Sequence, residues 1–270
     1  MALKAEEVGV AKAALGWRST LALAFLAGAF IALGGIFSST VMAGAGGAAW
    51  GLVRLAGGAA FSLGLVLVVV AGAELFTGNN LIVMAWGSRR VSTARLLRNW
   101  ALVYAGNFAG AVATAFLVWL SGQYIMGGGA VGLVILEGAQ LKCSHGFVQA
   151  LALGALCNVL VCLAIWLCYS ARTTTDKILC VIFPISAFVA AGFEHSVANM
   201  FLIPLALFIK AGAPAQFWAA LGTGPQSYAA LSWNGFLWAN LVPVTLGNIL
   251  GGSVMVGLVY WFIYIRKRPA

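Results

Sequence analysis

The feature that most narrows what this chain can fold into is a series of six apolar segments, each long enough to cross a bilayer. They cover residues 20–41, 58–86, 100–120, 146–169, 178–209 and 235–265. A hydrocarbon core about 30 Å thick needs roughly 20 apolar residues per helix. The second and fifth segments are too long for one straight crossing, and each carries a glutamate inside, Glu74 or Glu194. Composition agrees, with 63% of the 270 residues hydrophobic and 8% charged, against roughly 25% charged in a soluble domain. The expected fold is an all-α integral membrane protein with six transmembrane helices.

The formal charge of +9 is explained by its placement. Lys4, Lys12 and Arg18 precede the first segment. Arg89, Arg90, Arg95 and Arg98 separate the second from the third, and Arg172 and Lys177 the fourth from the fifth. Arg266, Lys267 and Arg268 follow the sixth. The other side has only Arg54, Lys142 and Lys210. Basic residues collect on the cytoplasmic side of membrane proteins, so both termini are expected there. The excess is a topology signal, with no nucleic-acid partner implied. Residues 1–19 read as a short amphipathic cytoplasmic helix and 266–270 as a cytoplasmic tail. The N-terminus lacks the pattern of a cleavable signal peptide. The five cysteines show no metal-ligand or redox spacing and read as small core residues. No metal or cofactor is expected, and no phosphate-binding glycine loop occurs.

Residues 71–83 read AGAELFTGNNLIV and residues 191–203 read AGFEHSVANMFLI. Both run Ala-Gly, one residue, Glu, then Asn five positions on. Residues 99–110 and 240–251 share Asn, six residues, Gly-Asn, then Gly three further on. The first and fourth segments match only in Gly28-Ala29 and Gly154-Ala155. Segments one to three therefore resemble four to six. Three is odd, so the second half enters from the opposite side, making an inverted 3+3 repeat over residues 20–122 and 146–265. Interrupted helices at corresponding places in such repeats point to a site near the midplane.

The interruptions are expected at Glu74–Asn80 and Glu194–Asn199, where Gly78 and the asparagines weaken the helix. Irregular backbone at membrane depth survives only against protein or a water-lined cavity. Thr77 offers a hydroxyl to that cavity. His195 stands in the second break, and the other histidine, His145, lies in an expected outer loop. A histidine there can give a hydrogen bond or a proton to an anion. Glu74 and Glu194 read as scaffold, accepting hydrogen bonds from loop N–H groups, with pore-lining as the alternative. Lys142, in the same outer loop, is either a solvated lysine or a charge that draws anions inward. Phe61, Leu65, Leu75, Phe76 and Phe188 lie beside the breaks and include candidates for narrow apolar rings.

The segments AGAELFTGN, LCNVLVCLAIW, GFEHSVANMFLIP and NLVPVTLGNILGG resemble the signature segments of the formate/nitrite transporter family, with similarity running from about Arg18 to Arg266. FLVWLSGQY and FWAALGTGPQSY are more similar to the formate-channel branch. The resemblance implies an aquaporin-like protomer assembled as a homopentamer, with a pore through each protomer, in a bacterial inner membrane. It implies that Thr77, His195, Glu194, Asn199, Asn158, Asn248 and Lys142 occupy the family's motif positions. Phe61, Leu65, Leu75, Phe76 and Phe188 then lie at or near its constrictions. The implied activity is passage of small monovalent anions of weak acids. Formate comes first, with proton sharing at His195 and with nitrite or hydrosulfide as the alternative. A neutral-solute channel would carry paired Asn-Pro-Ala turns, which are absent, and an intramembrane enzyme would need a partner nucleophile or metal ligand for His195.

The charge distribution makes a direct prediction about topology. A reporter fused after Arg268 is expected in the cytoplasm and a tag inserted near Gly128 outside. Both reporting from one side would remove the six-crossing reading and the inverted repeat together.

Overall fold

A computed structural model describes residues 1–266; Lys267 and Arg268 of the basic tail lie outside the described residues. Helix α1 (Ala2–Ala14) leads into the first crossing, α2 (Trp17–Met42). The chain returns as α3 (Trp50–Ala71), breaks, and resumes as α4 (Phe76–Asn79), a 3-10 turn (Asn80–Ile82) and α5 (Val83–Gly87). The third crossing is α6 (Thr93–Leu120). A second short helix, α7 (Ala130–Ser144), leads into α8 (Phe147–Cys168). Then α9 (Thr174–Ala190) breaks and resumes as α10 (Ser196–Gly212), which bends by 109° into α11 (Ala215–Leu221). The last crossing, Gly235–Tyr264, contains α12 (Val242–Ile249) between two π-helical stretches and ends in α13 (Val259–Tyr264).

Five of these helices are individually long and apolar enough to cross a membrane. The sixth crossing is shared between α9 and α10, of 17 residues each. The outer surface fits lipid rather than water: Leu117 is 64% exposed, Trp238 67% and Phe183 75%. Apolar exposure on that scale marks a membrane or assembly surface.

Without a hydrophobic drive between helices in lipid, close backbone packing holds them together. The paired glycines supply it. A β-carbon on Gly106 would lie 2.5 Å from that of Ala24, and one on Gly110 would meet the Phe25 carbonyl. On the other half, Gly247 and Gly251 leave no room for a β-carbon against the Leu151 and Ala155 carbonyls. So α6 closes on α2 as α12 closes on α8.

The backbone fixes the register of the repeat. Glu74 N donates to Leu23 O (3.2 Å), and Glu194 N donates to Leu153 O (3.3 Å). Leu23 thus answers to Leu153, and Gly28 answers to Asn158. The expected match of Gly28-Ala29 with Gly154-Ala155 is wrong by one helical turn, because a Gly-Ala pair is common in any apolar helix. In the corrected register Lys12 answers to Lys142 and α1 to α7. The expected outer loop around Lys142 is therefore a helix, with His145 as its C-cap. Helix α1 packs on α5 and the 3-10 turn, burying Ala5, Glu6, Gly9 and Ala13, and Glu6 pairs with Arg90 at 3.2 Å.

The breaks also fall earlier than expected, at residues 72–75 and 191–195. Gly72 (φ 78°) and Gly192 (φ 74°) turn the chain out of α3 and α9 in the left-handed region, which glycine enters at no steric cost. Gly78, Asn79 and Asn199 are already helical.

Gly247→Ala is expected to destabilise by about 1–3 kcal/mol through overpacking, read as a lower thermal midpoint in detergent. Gly16→Ala, where nothing lies within 4 Å of the added carbon, is expected to leave the midpoint in place.

Candidate functional site

Each break is built around a carboxylate that has lost its water. In the first repeat, Lys12 Nζ donates to Glu74 Oε1 at 2.6 Å and to Asn79 Oδ1 at 3.0 Å. Asn79 Nδ2 donates to Glu74 Oε2 (2.6 Å) and Asn99 Oδ1 (2.9 Å). Asn107 secures the irregular backbone: its Oδ1 accepts from Phe76 N (2.9 Å), and its Nδ2 donates to Glu74 O (2.9 Å) and Ala24 O (2.8 Å).

The second repeat reproduces this from the opposite end. Lys142 Nζ donates to Glu194 Oε1 at 2.8 Å. Asn199 Nδ2 donates to Glu194 Oε2 and Asn240 Oδ1, both at 2.7 Å. Asn248 accepts from Ser196 N (2.9 Å) and donates to Glu194 O (2.9 Å) and Gly154 O (2.8 Å). Contrary to the expectation from sequence, the glutamates do not take the loop N–H groups. Asn107 and Asn248 do, and the carboxylates take lysine and amide side chains instead. Charge-assisted bonds of this kind are the stronger sort.

Between the networks the two resumed helices meet. Thr77 Oγ1 lies 2.9 Å from His195 Nε2, both side chains buried. His195 caps α10, its Nδ1 accepting from Ala198 N at 3.1 Å. An Nδ1 lone pair engaged in this way puts the ring proton on Nε2, facing Thr77. Asn158 ties the centre together, donating to Thr77 O (3.3 Å), Asn80 Oδ1 (2.9 Å) and Asn248 O (2.6 Å).

Two cavities lie on either side of this contact and share no lining residue. The first, about 320 Å³, is lined by Lys4, Lys12, Lys177, Glu74, Leu75 and Tyr169 among others. The second, about 460 Å³, is lined by Arg54, Lys142, Phe61, Phe188 and His195 among others. Phe188 stacks on His195 with ring centroids 5.8 Å apart, and Phe61 meets Phe188 edge-on at 5.7 Å. Leu75 and His195 are equivalent residues, each following its glutamate and preceding the resumed helix. Of the five ring candidates, Phe61, Leu75 and Phe188 therefore face cavities. Leu65 and Phe76 are buried without lining either, and Phe76 packs edge-on against Trp100 and Tyr104.

Sequence reasoning missed Lys12, Asn79, Asn99, Asn107 and Asn240 as site residues. The signal for Lys12 was present in Leu-Ala-Leu at residues 21–23 and 151–153, which puts the two lysines in register.

Two cavities at opposite ends of an inverted repeat, with His195 on the wall of one and its counterpart Leu75 on the wall of the other, fit a membrane protein of the channel and transporter class. Residues 1–262 match the family described as formate/nitrite transporter, and the chain belongs to it. The chain is 46% identical over 268 residues to "Formate channel FocA" of Escherichia coli K12, covering 99% of this chain and 94% of that one. Among solved structures, "Pentameric formate channel with formate bound" is similar with a TM-score of 0.88 at 46% identity, covering 93% of this chain and 98% of the other. "FNT family ion channel" is similar with a TM-score of 0.80 at 30% identity, covering 97% of each.

Lys12→Met leaves the Glu74 carboxylate buried without its cation and is expected to destabilise by about 3 kcal/mol. Adding Glu74→Gln is expected to recover part of that loss, because a neutral amide needs no counter-ion. Thermal unfolding of the single and double variants in detergent checks both, and equal midpoints for the single variant and wild type would contradict the pairing.

Proposed function

We propose that this chain is a formate channel of a bacterial inner membrane, working as a homopentamer with a pore through each protomer and both termini in the cytoplasm. The observation that carries the reading is the Thr77–His195 contact at 2.9 Å between two separate cavities. Relatives named as formate channels support formate over nitrite or hydrosulfide, and the pentameric relative supports the assembly. The membrane domain runs over residues 20–265, each half led by its short lysine-bearing helix.

The chemistry follows from the cost of moving an anion into apolar surroundings. Formate enters a cavity and reaches Thr77 and His195, where the Nε2 proton and the Thr77 hydroxyl replace its water. His195 takes a second proton at Nδ1 from water in the entry cavity and passes the Nε2 proton to a formate oxygen, which leaves the ring neutral. Neutral formic acid then passes the apolar side chains of Phe61 and Phe188 or of Leu75, and returns the proton on reaching water. An imidazolium would present a second N–H to Ala198 N, so proton uptake by His195 is coupled to release of the α10 cap. Asn158 and Asn248 hold the backbone around the contact, Asn199 holds the Glu194 carboxylate, and Glu74 and Glu194 with their lysines fix the two breaks.

Asparagine is among the best N-cap residues, so His195→Asn keeps the α10 cap while losing titration. It is expected to assemble, to lose proton-linked formate uptake and to retain a slow anion leak. Formate uptake into vesicles with internal pH followed simultaneously measures this. An Asn variant matching wild type in rate, pH dependence and proton movement would remove His195 as the proton-handling group.

A further inference from the structure

The second cavity holds two basic side chains, Arg54 and Lys142, and the structure gives them different surroundings. Lys142 lies 2.8 Å from the Glu194 carboxylate, so its charge is largely neutralised at short range. Arg54 has no carboxylate within 4.0 Å among the described residues. Its Nε donates to Ala190 O at 3.2 Å and its Nη2 to Val189 O. These carbonyls belong to the last turn of α9, directly before the second break. Arginine has five N–H donors, and the others have no protein acceptor among the described residues. The guanidinium is half-buried and reaches the break itself, its Nη2 lying 3.5 Å from where a β-carbon on Gly192 would stand. Glu137, also on the cavity wall, is exposed. The attraction of a charge strengthens as water is excluded around it, so the half-buried Arg54 is the basic group on this cavity wall whose charge no carboxylate offsets at short range among the described residues.

We propose that Arg54 captures the anion in this cavity, holding a small carboxylate beside Phe188 and His195, and that Lys142 serves as the counter-ion of Glu194. The inference rests on the reading of the chain as an anion channel. The two planar groups match: a guanidinium presents parallel N–H donors to the two oxygens of a carboxylate. The cap on α9 fixes the fork in place before the anion arrives, so little side-chain freedom is lost on binding. A charge focused in a low-dielectric cleft raises the local anion concentration by a factor on the order of ten or more, and salt screens it once the Debye length falls to a few ångströms.

The test is initial formate uptake from the outer side into right-side-out membrane vesicles, measured against formate concentration at low and high ionic strength. Arg54→Gln is expected to raise the half-saturating concentration about tenfold at low ionic strength, with the maximal rate little changed and the gap narrowing in high salt. Arg54→Lys keeps the charge while losing the fork, both to Ala190 and Val189 and to the carboxylate, and is expected to fall between wild type and Arg54→Gln at low ionic strength. An unchanged half-saturation for Arg54→Gln overturns the inference. So does an Arg54→Lys variant as impaired as Arg54→Gln at every ionic strength, which makes Arg54 only a cap for α9. If Arg54→Gln does not assemble, Arg54→Lys decides alone: at most a few-fold rise in half-saturation that narrows in high salt supports anion capture, and a tenfold rise that salt does not change overturns it. Wild-type vesicles that carry no formate overturn this inference and the channel reading together. Formate flux in wild type with an unaffected Arg54→Gln removes only the role of Arg54.

Discussion

A carboxylate at membrane depth is tolerated when a cation and hydrogen-bond donors replace its water, and Glu74 and Glu194 each have both. From this everything at the centre follows. The lysine on the preceding short helix neutralises the charge, and one asparagine of the resumed helix holds the second oxygen. A further asparagine from the third crossing of the repeat takes the first free N–H of the resumed helix. With these contacts α3 and α9 can stop inside the membrane and α4 and α10 can start there with the glutamate carbonyl and the first N–H of each resumed helix bonded, while Ser196 Oγ and Asn199 Oδ1 keep no partner. Buried ion pairs confer little net stability when compared with apolar replacements. Their value here is positional, since they hold Thr77 and His195 within hydrogen-bond distance.

The two halves agree closely in scaffold and part company at the contact. Lys12 and Lys142, Glu74 and Glu194, Asn79 and Asn199, Asn99 and Asn240, and Asn107 and Asn248 are equivalent in position and share most of their bonding, the differences being that Lys12 also donates to Asn79 Oδ1 and Asn240 also to the Glu194 carboxylate. Leu75 answers to His195, Thr77 to Val197 and Gly28 to Asn158. The polar members of these unlike pairs come from both halves and converge, Asn158 bonding the carbonyl of Thr77 and Thr77 meeting His195. A duplicated scaffold thus carries one unduplicated centre.

Much of this was legible from local signals. Hydropathy marked the crossings because lipid demands about twenty apolar residues in succession. The Glu and Asn spacing marked both breaks, since a carboxylate inside an apolar run needs a reason to be there. Partners distant in sequence were not legible. Lys12 and Glu74 are 62 positions apart, and an N-terminal lysine reads equally well as a topology marker. Helix α7 was hidden because its apolar run is too short to stand out beside true crossings. The division of Phe61, Leu75 and Phe188 from Leu65 and Phe76 depends on side-chain direction around a break, where helical periodicity no longer applies.

The distribution of these contacts along the chain has a consequence for how the protein is made. In each half the third crossing supplies the asparagines that complete the break, Asn99 and Asn107 in the first and Asn240 and Asn248 in the second. A ribosome delivers the second crossing of each half before the third exists. Glu74 therefore enters the bilayer with Lys12 as its earliest available partner, and the broken segment waits for α6 before its backbone is fully bonded. The second half repeats the delay, with Lys142 emerging ahead of Glu194. Each lysine-bearing helix is thus, in order of synthesis, the first charged partner of its glutamate, made ahead of the asparagines that complete the break.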